Sequence, residues 1–229
     1  MSLAPERLSI GIRRHFTAPG VHPYDQVVWE RRDAQIKNWK DGSVAFEQLG
    51  VEFPVSWSLN ATNIVSQKYF RGTPGTSERE DSMRQVIDRV ADTITKWGVE
   101  CGYFIDQDEA ESFCNELKFI LITQRAAFNS PVWFNVGLWH EYKAGAGGTS
   151  GGWAYNDETG QVEKQTLPYL RPQGSACFIQ GVEDNMDSIM SLATSEAMLF
   201  KFGSGTGTDL TTIRSYKDRL SGGGRPSGP

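Results

Sequence analysis

Three cysteines are present, and Cys177 is the one whose neighbours would let a thiol meet a ligand. It stands near the start of the short apolar run "ACFIQGV", beside the small residues Ser175 and Ala176, where a backbone can be approached. A buried structural thiol is the competing reading, because free cysteine is among the most buried residue types. Asp184, in the turn "VEDNMD" that follows, suits a helix N-cap. It equally suits a carboxylate that accepts hydrogen bonds from sugar hydroxyls at the end of a strand. Further on, Arg214, Arg219 and Arg225 lie close to the glycines of "LSGGGRPSGP". Guanidinium forks beside exposed backbone amides are a combination that holds phosphate oxygens, although the tail's composition also fits a flexible linker. Gly203, Gly205 and Gly207 in "GSGTGTD" resemble a dinucleotide fingerprint only superficially. That motif follows a strand and opens a helix, whereas here a helix precedes and a strand follows. What remains is close approach of backbone to backbone or to a ligand.

The other candidate ligands carry less. Cys114 falls on the apolar stripe of a helix, as a small hydrophobe would, and Cys101 lies between two helices. An odd number of cysteines without C-x-x-C spacing fits neither a disulfide scaffold nor a zinc site. His15, His22 and His140 are scattered, so no protein-bound metal is expected. Net charge is -5, which disfavours an electrostatic grip on nucleic acid or on an anionic membrane. No run reaches the roughly 20 apolar residues of a membrane span, and "MSLAPERLSIGIRRHF" lacks a signal-peptide core. The expected location is cytoplasmic. With 229 residues, 38% of them hydrophobic, the chain can bury a core.

The elements that must position these residues follow from periodicity. Residues 1–60 read as an irregular arm with a short helix. "SERE" at Ser77–Glu80 reads as a capping box that starts a helix; its inward stripe is Met83, Val86, Ile87, Val90, Ile94 and Trp97, and its stop is Gly98. "DQDE" from Asp106 opens a second helix with Ala110, Phe113, Cys114, Leu117, Ile120 and Leu121 inward, antiparallel to the first. "AFNSPVWFNVG" breaks helicity at Asn129–Pro131. Residues 61–138 thus form a helical region, and 139–172 a glycine-rich loop with a small hairpin around "DETG". After it come a strand, "ACFIQGV", a helix with Met186, Ile189, Leu192, Leu199 and Phe200 inward, and a strand, "GTGTDL". The simplest arrangement is a crossover in a parallel sheet, and the fold class is α/β.

Ordered matches through "FPVSWSLNATNIVSQKYFRG", "ERE", "RQVIDRV", "AFNSPVWFNVG", "SACFIQGVEDNMDSI", "LFKFGSGTGTDL" and "LSGGGRPSGP" resemble the class II, adenosylcobalamin-dependent ribonucleotide reductases over most of the chain. The resemblance implies that residues 173–229 begin a ten-stranded α/β barrel left incomplete here. It implies that Cys177 is one of two thiols that reduce the substrate ribose and become a disulfide. Ser130, Ala176, Cys177 and Gly205 would contact the ribonucleotide. Asp184, Met186, Arg214 and Arg219 would hold a deoxynucleoside triphosphate effector. The implied partners are a thioredoxin-like reductant, a complementary C-terminal chain or segment, and a second copy in a homodimer. The radical cysteine, the second redox cysteine and the substrate phosphate loop have no counterpart in this sequence, so it is expected to be inactive alone. The alternatives are a nucleotide-binding regulatory module and an inert truncation.

Overall fold

The computed structural model describes residues 9–147, 151–156 and 158–228. The chain forms two compact units, Met1–Phe128 with Val136–Ala144, and Asn129–Asn135 with Gly145–Pro229.

In the first unit, strand β1 (Trp29–Lys37) pairs antiparallel with β2 (Val44–Pro54), with register shifts between Arg32 and Ala34 and between Ile36 and Lys37. Residues 29–54 are therefore a long hairpin and not an irregular arm; the short helix expected there is one 3-10 turn, Pro23–Gln26. The charged residues obscured the strand alternation, because only Ala34, Val51, Phe53 and the terminal Pro54 along the pair's length are fully covered apolar side chains. Helix α1 (Leu59–Lys68) starts at Ser58, whose side chain caps the Ala61 amide. Helices α2 (Met83–Glu100) and α3 (Gln107–Ile122) then form an antiparallel pair: Asp88 meets Lys118, Asp92 meets Cys114 and Lys118, and Gly98 lies against Phe104. Met83, Val86, Ile87, Val90, Ala110, Leu121 and Ile122 join Val51, Phe53 and Trp57 in the core. Each fully buried aliphatic or aromatic side chain of this size contributes about 1.5–3 kcal/mol.

Helix α2 departs from its sequence reading at both ends. Its capping box is Ser82 with Gln85, not Ser77 with Glu80. Glu80 is drawn instead into the core, 1% exposed, where its carboxylate accepts from Arg89 Nε at 2.8 Å, Tyr142 Oη at 2.8 Å and the Arg71 amide at 2.7 Å. A charge this deeply buried needs partners, and three donors outcompete a surface cap. Gly98 is not the stop: it is buried within the helix, where a Cβ would come within 2.5 Å of the Phe104 ring. The left-handed residue that ends the turn is Gly102, at φ 72°.

In the second unit, Pro131 does not break a helix. It lies in the first turn of a short one, α4 (Ser130–Asn135), the place where a missing N–H costs nothing. Leu138–Tyr142 forms α5, which belongs to the first unit. Strands β3 (Trp153–Asn156) and β4 (Gln161–Lys164) make the expected hairpin, closed by the Gly160 amide on the Asn156 carbonyl; Asp157 of "DETG" and residues 1–8 lie outside the described residues. Strand β5 (Cys177–Gly181), helix α6 (Met186–Lys201) and strand β6 (Gly205–Asp209) form the strand, helix, strand unit, with β5 and β6 parallel. They make a two-stranded sheet among the described residues, so no barrel closes within them. The inward stripe assigned to α6 is corrected accordingly. Met186 is 70%, Ile189 37% and Phe200 56% exposed, and no residue of α6 is buried, because two strands are too narrow a floor to cover its apolar face.

Candidate active and effector sites

Cys177 is the first residue of β5 and is paired in register with Gly205, the first residue of β6. Alternation along both strands puts Cys177, Ile179 and Gly181, with Gly205, Gly207 and Asp209, on one exposed face. The competing reading of Cys177 as a buried thiol is therefore set aside. The floor beside it is bare backbone. A Cβ on Gly205 would touch nothing nearer than the Ala176 carbonyl at 3.8 Å, and one on Gly207 only Ile179 at 3.5 Å. Neither glycine is required by its neighbours, so what the missing side chains preserve is open access to the strand next to the thiol. Ala176 contributes its carbonyl to the Gly205 amide at 2.6 Å. Ser130 stands at the start of α4.

Cys114 behaves differently. Burial pushes its thiol up to about 11, with Lys118 opposing and Asp92 adding to the rise, and its Sγ donates to Asp92 at 3.2 Å. A thiol so raised is a poor nucleophile at neutral pH. Cys101 is exposed at the C-cap of α2, and all three thiols are free.

Asp184 and Arg214 meet. The arginine Nε donates to Asp184 Oδ2 at 2.5 Å, and Nη2 reaches the Asp184 carbonyl at 3.3 Å. Asp184 follows the C-terminal end of β5 and Arg214 that of β6, and the Thr212 hydroxyl ties the second loop to the Val182 carbonyl. The carboxyl ends of parallel strands are where α/β sheets gather ligands. Asp184 does not cap α6. Asn185 does, accepting the Ser188 amide at 2.8 Å, while the Ser188 hydroxyl accepts the Glu183 amide. The sequence offered two adjacent cap-forming side chains, and local backbone direction chose between them. Met186 is exposed at the first turn of α6; Arg219 and Arg225 are exposed further along the chain and make no ion pair among the described residues.

One residue that sequence reasoning passed over is Asn135, 2% exposed, whose amide nitrogen donates to the carbonyls of Gln173 and Phe202. The available signal was a lone amide at the end of the apolar run "PVWFN". Among the described residues no group of His, Cys, Asp and Glu could hold a metal ion. All three histidines belong to the first unit, and none stands on the strand face that carries Cys177.

The N-terminal domain model described as class II vitamin B12-dependent ribonucleotide reductase matches residues 30–124. The model described as ribonucleotide reductase, barrel domain, matches residues 175–229. Similar proteins include the vitamin B12-dependent ribonucleotide reductases of Rhodopirellula baltica, 52% identical over 92% of this chain, and of Streptomyces clavuligerus, 49% identical over 95%. That of Agrobacterium fabrum is 38% identical over 95%. In each case the match covers 20% of the relative's length. Two domain matches in order along the chain, around a thiol on a parallel strand pair, place it as the N-terminal portion of a protein of the class II, vitamin B12-dependent ribonucleotide reductase family.

Proposed function

We propose that this chain contributes one redox thiol and the effector site of an enzyme that reduces ribonucleotides to deoxyribonucleotides. Cys177 gives up its hydrogen together with a second cysteine supplied by the remainder of the enzyme. The ribose 2′-hydroxyl leaves as water, the carbon gains hydrogen, and the two thiols become a disulfide. A thioredoxin-like dithiol then restores the pair by exchange. Ser130, the backbone at Ala176 and the bare strand at Gly205 take the substrate. Asp184 and Met186 take the sugar and base of a deoxynucleoside triphosphate, and Arg214 with Arg219 its phosphates. Residues 173–229 would begin a ten-stranded barrel, preceded by an N-terminal region (1–60) that carries the β1–β2 hairpin, a helical region (61–138) and an insertion (139–172). Adenosylcobalamin, a complementary C-terminal portion and a homodimeric, cytoplasmic assembly complete the proposal, with no residue of this chain assigned to the cofactor.

The observation that carries the reading is the register of Cys177 against Gly205 on an open face, with Asp184 and Arg214 joined at the far ends of the same two strands. The test is Cys177→Ser in the full-length protein. Multiple turnover with a dithiol reductant should vanish while the far-ultraviolet circular dichroism spectrum is unchanged. Turnover equal to the unsubstituted protein would remove the redox assignment and leave a nucleotide-binding regulatory module.

A further inference from the structure

The thiol's position depends on the two segments that lead into β5 and β6, and helix α4 grips both. Val132 lies against Gly174, where a Cβ would stand 3.6 Å from it. Phe134 covers Gly203, a left-handed residue at φ 82° whose Cβ would strike the ring at 2.6 Å. Asn135, at the end of the helix, donates to the Gln173 carbonyl at 3.0 Å and the Phe202 carbonyl at 2.9 Å. A second layer sits just beyond: the Ser204 hydroxyl, itself 6% exposed as a residue, donates to the Ser175 carbonyl at 2.6 Å and accepts from Gln173 Nε2. Then the ladder begins, with the Gly205 amide on the Ala176 carbonyl.

We propose that Asn135 is a positioning residue, a clamp whose two amide protons fix the register of β5 against β6 and so seat Cys177 beside the bare backbone of Gly205. A two-stranded sheet whose second strand is largely glycine and threonine specifies its own register weakly, since Gly205 and Gly207 offer no side chains to lock against their neighbours. A side chain bonding one carbonyl ahead of each strand supplies what the strands lack. The carbonyls are held by the same nitrogen, so a slip of either strand breaks a bond to a buried group, which is costly. The role in chemistry rests on the reading of Cys177 as a redox thiol; the role in register does not.

The decisive variant is Asn135→Asp in the full-length protein, which keeps shape and volume but removes both donors; Asn135→Ala serves if the aspartate variant fails to fold. Hydrogen exchange measured on peptides from β5 and β6 should accelerate about tenfold or more, the scale expected for two lost hydrogen bonds. Peptides from the β3–β4 hairpin of the same unit should exchange as before. In turnover, kcat should fall with KM and effector affinity little changed. Unaltered exchange in β5 and β6 would overturn the clamp, and so would equal acceleration in the hairpin, which would make Asn135 a general stability residue. Selective acceleration with kcat intact would overturn its part in the reaction. If the unsubstituted protein reduces no ribonucleotide, the functional reading falls, and the exchange result still decides the register.

Discussion

At the scale of single residues, the Asp184–Arg214 pair separates two roles that the sequence left merged. The side chains are 42% and 31% exposed for Arg214 and Asp184, so the pair itself contributes little to stability, about 0.2–1 kcal/mol by the measure of exposed ion pairs. Arg214→Ala should therefore leave the thermal midpoint nearly unchanged and weaken effector binding roughly ten- to hundredfold, through loss of a charge-assisted phosphate contact. Asp184→Ala is a cleaner test than its sequence position promised, because the cap of α6 belongs to Asn185. Asn185→Ala should lower stability by about 1 kcal/mol with effector affinity held, and Asp184→Ala should do the opposite. Calorimetric titration beside thermal unfolding reads both quantities. Unchanged affinity in Arg214→Ala would reduce the arginine to a surface charge.

At the scale of elements, the start of α2 offers a direct contrast between a motif and its use. Ser77 and Glu80 have the spacing of a capping box, as do Ser82 and Gln85, yet only the second pair caps. Ser82→Ala should cost about 1 kcal/mol, measured by denaturant unfolding, and Ser77→Ala close to nothing. Ser82 also donates to Glu52 on β2, next to the Glu52–Arg84 ion pair at 3.2 Å, so its loss loosens helix and hairpin together. Equal costs for the two serines would mean that the cap carries none of the helix's stability.

At the scale of the whole molecule, the N-terminal segment is held to α3 by two carboxylates. Glu116 accepts the amides of His15, Phe16 and Thr17 at 2.8–3.0 Å and the Thr17 hydroxyl at 2.6 Å, and Phe16 stacks on Phe119 beneath Arg125. Glu109 accepts the Ser9 hydroxyl and the amides of Ile12 and Ile105. Burial pushes the Glu116 carboxyl up, but the bonds from Thr17, Phe16 and His15 outweigh it, and the result lies below the ordinary value. Glu109 is also held low, first by Ser9 and then by the Ile105 amide. A carboxyl whose folded value is depressed stabilises above its unfolded value, about 4.3, and loses that contribution as pH falls through the folded one. The segment should thus stay docked at neutral pH and release below roughly pH 4, seen as loss of amide-exchange protection at residues 13–17. Glu116→Gln should release it already at neutral pH. Protection that is insensitive to both acid and this substitution would show that the aromatic stack alone holds it.

The sequence by itself determined what depends on neighbours along the chain. The apolar periodicity of α2 and α3, the Asp106 cap, the strand, helix, strand order of residues 177–209 and the hairpin after the glycine-rich loop were all legible, because each is written within a few turns or a few strand residues. So was the family, through motifs spread in order. Only the tertiary structure decided which of two similar local signals is used. Glu80 left its capping box because Arg89, Tyr142 and the Arg71 amide converge on it from distant positions, and no window of sequence contains that competition. Residues 29–54 became a hairpin because β1 and β2 satisfy each other's backbone, although few of their side chains announce a buried face. Asn135 joins two carbonyls far apart in sequence, and Asp184 meets Arg214 because two parallel strands end side by side. The apolar face of α6, written as an inward stripe, stays exposed here because the surface that a helix packs on is set by how many strands lie beneath it, and among the described residues there are two.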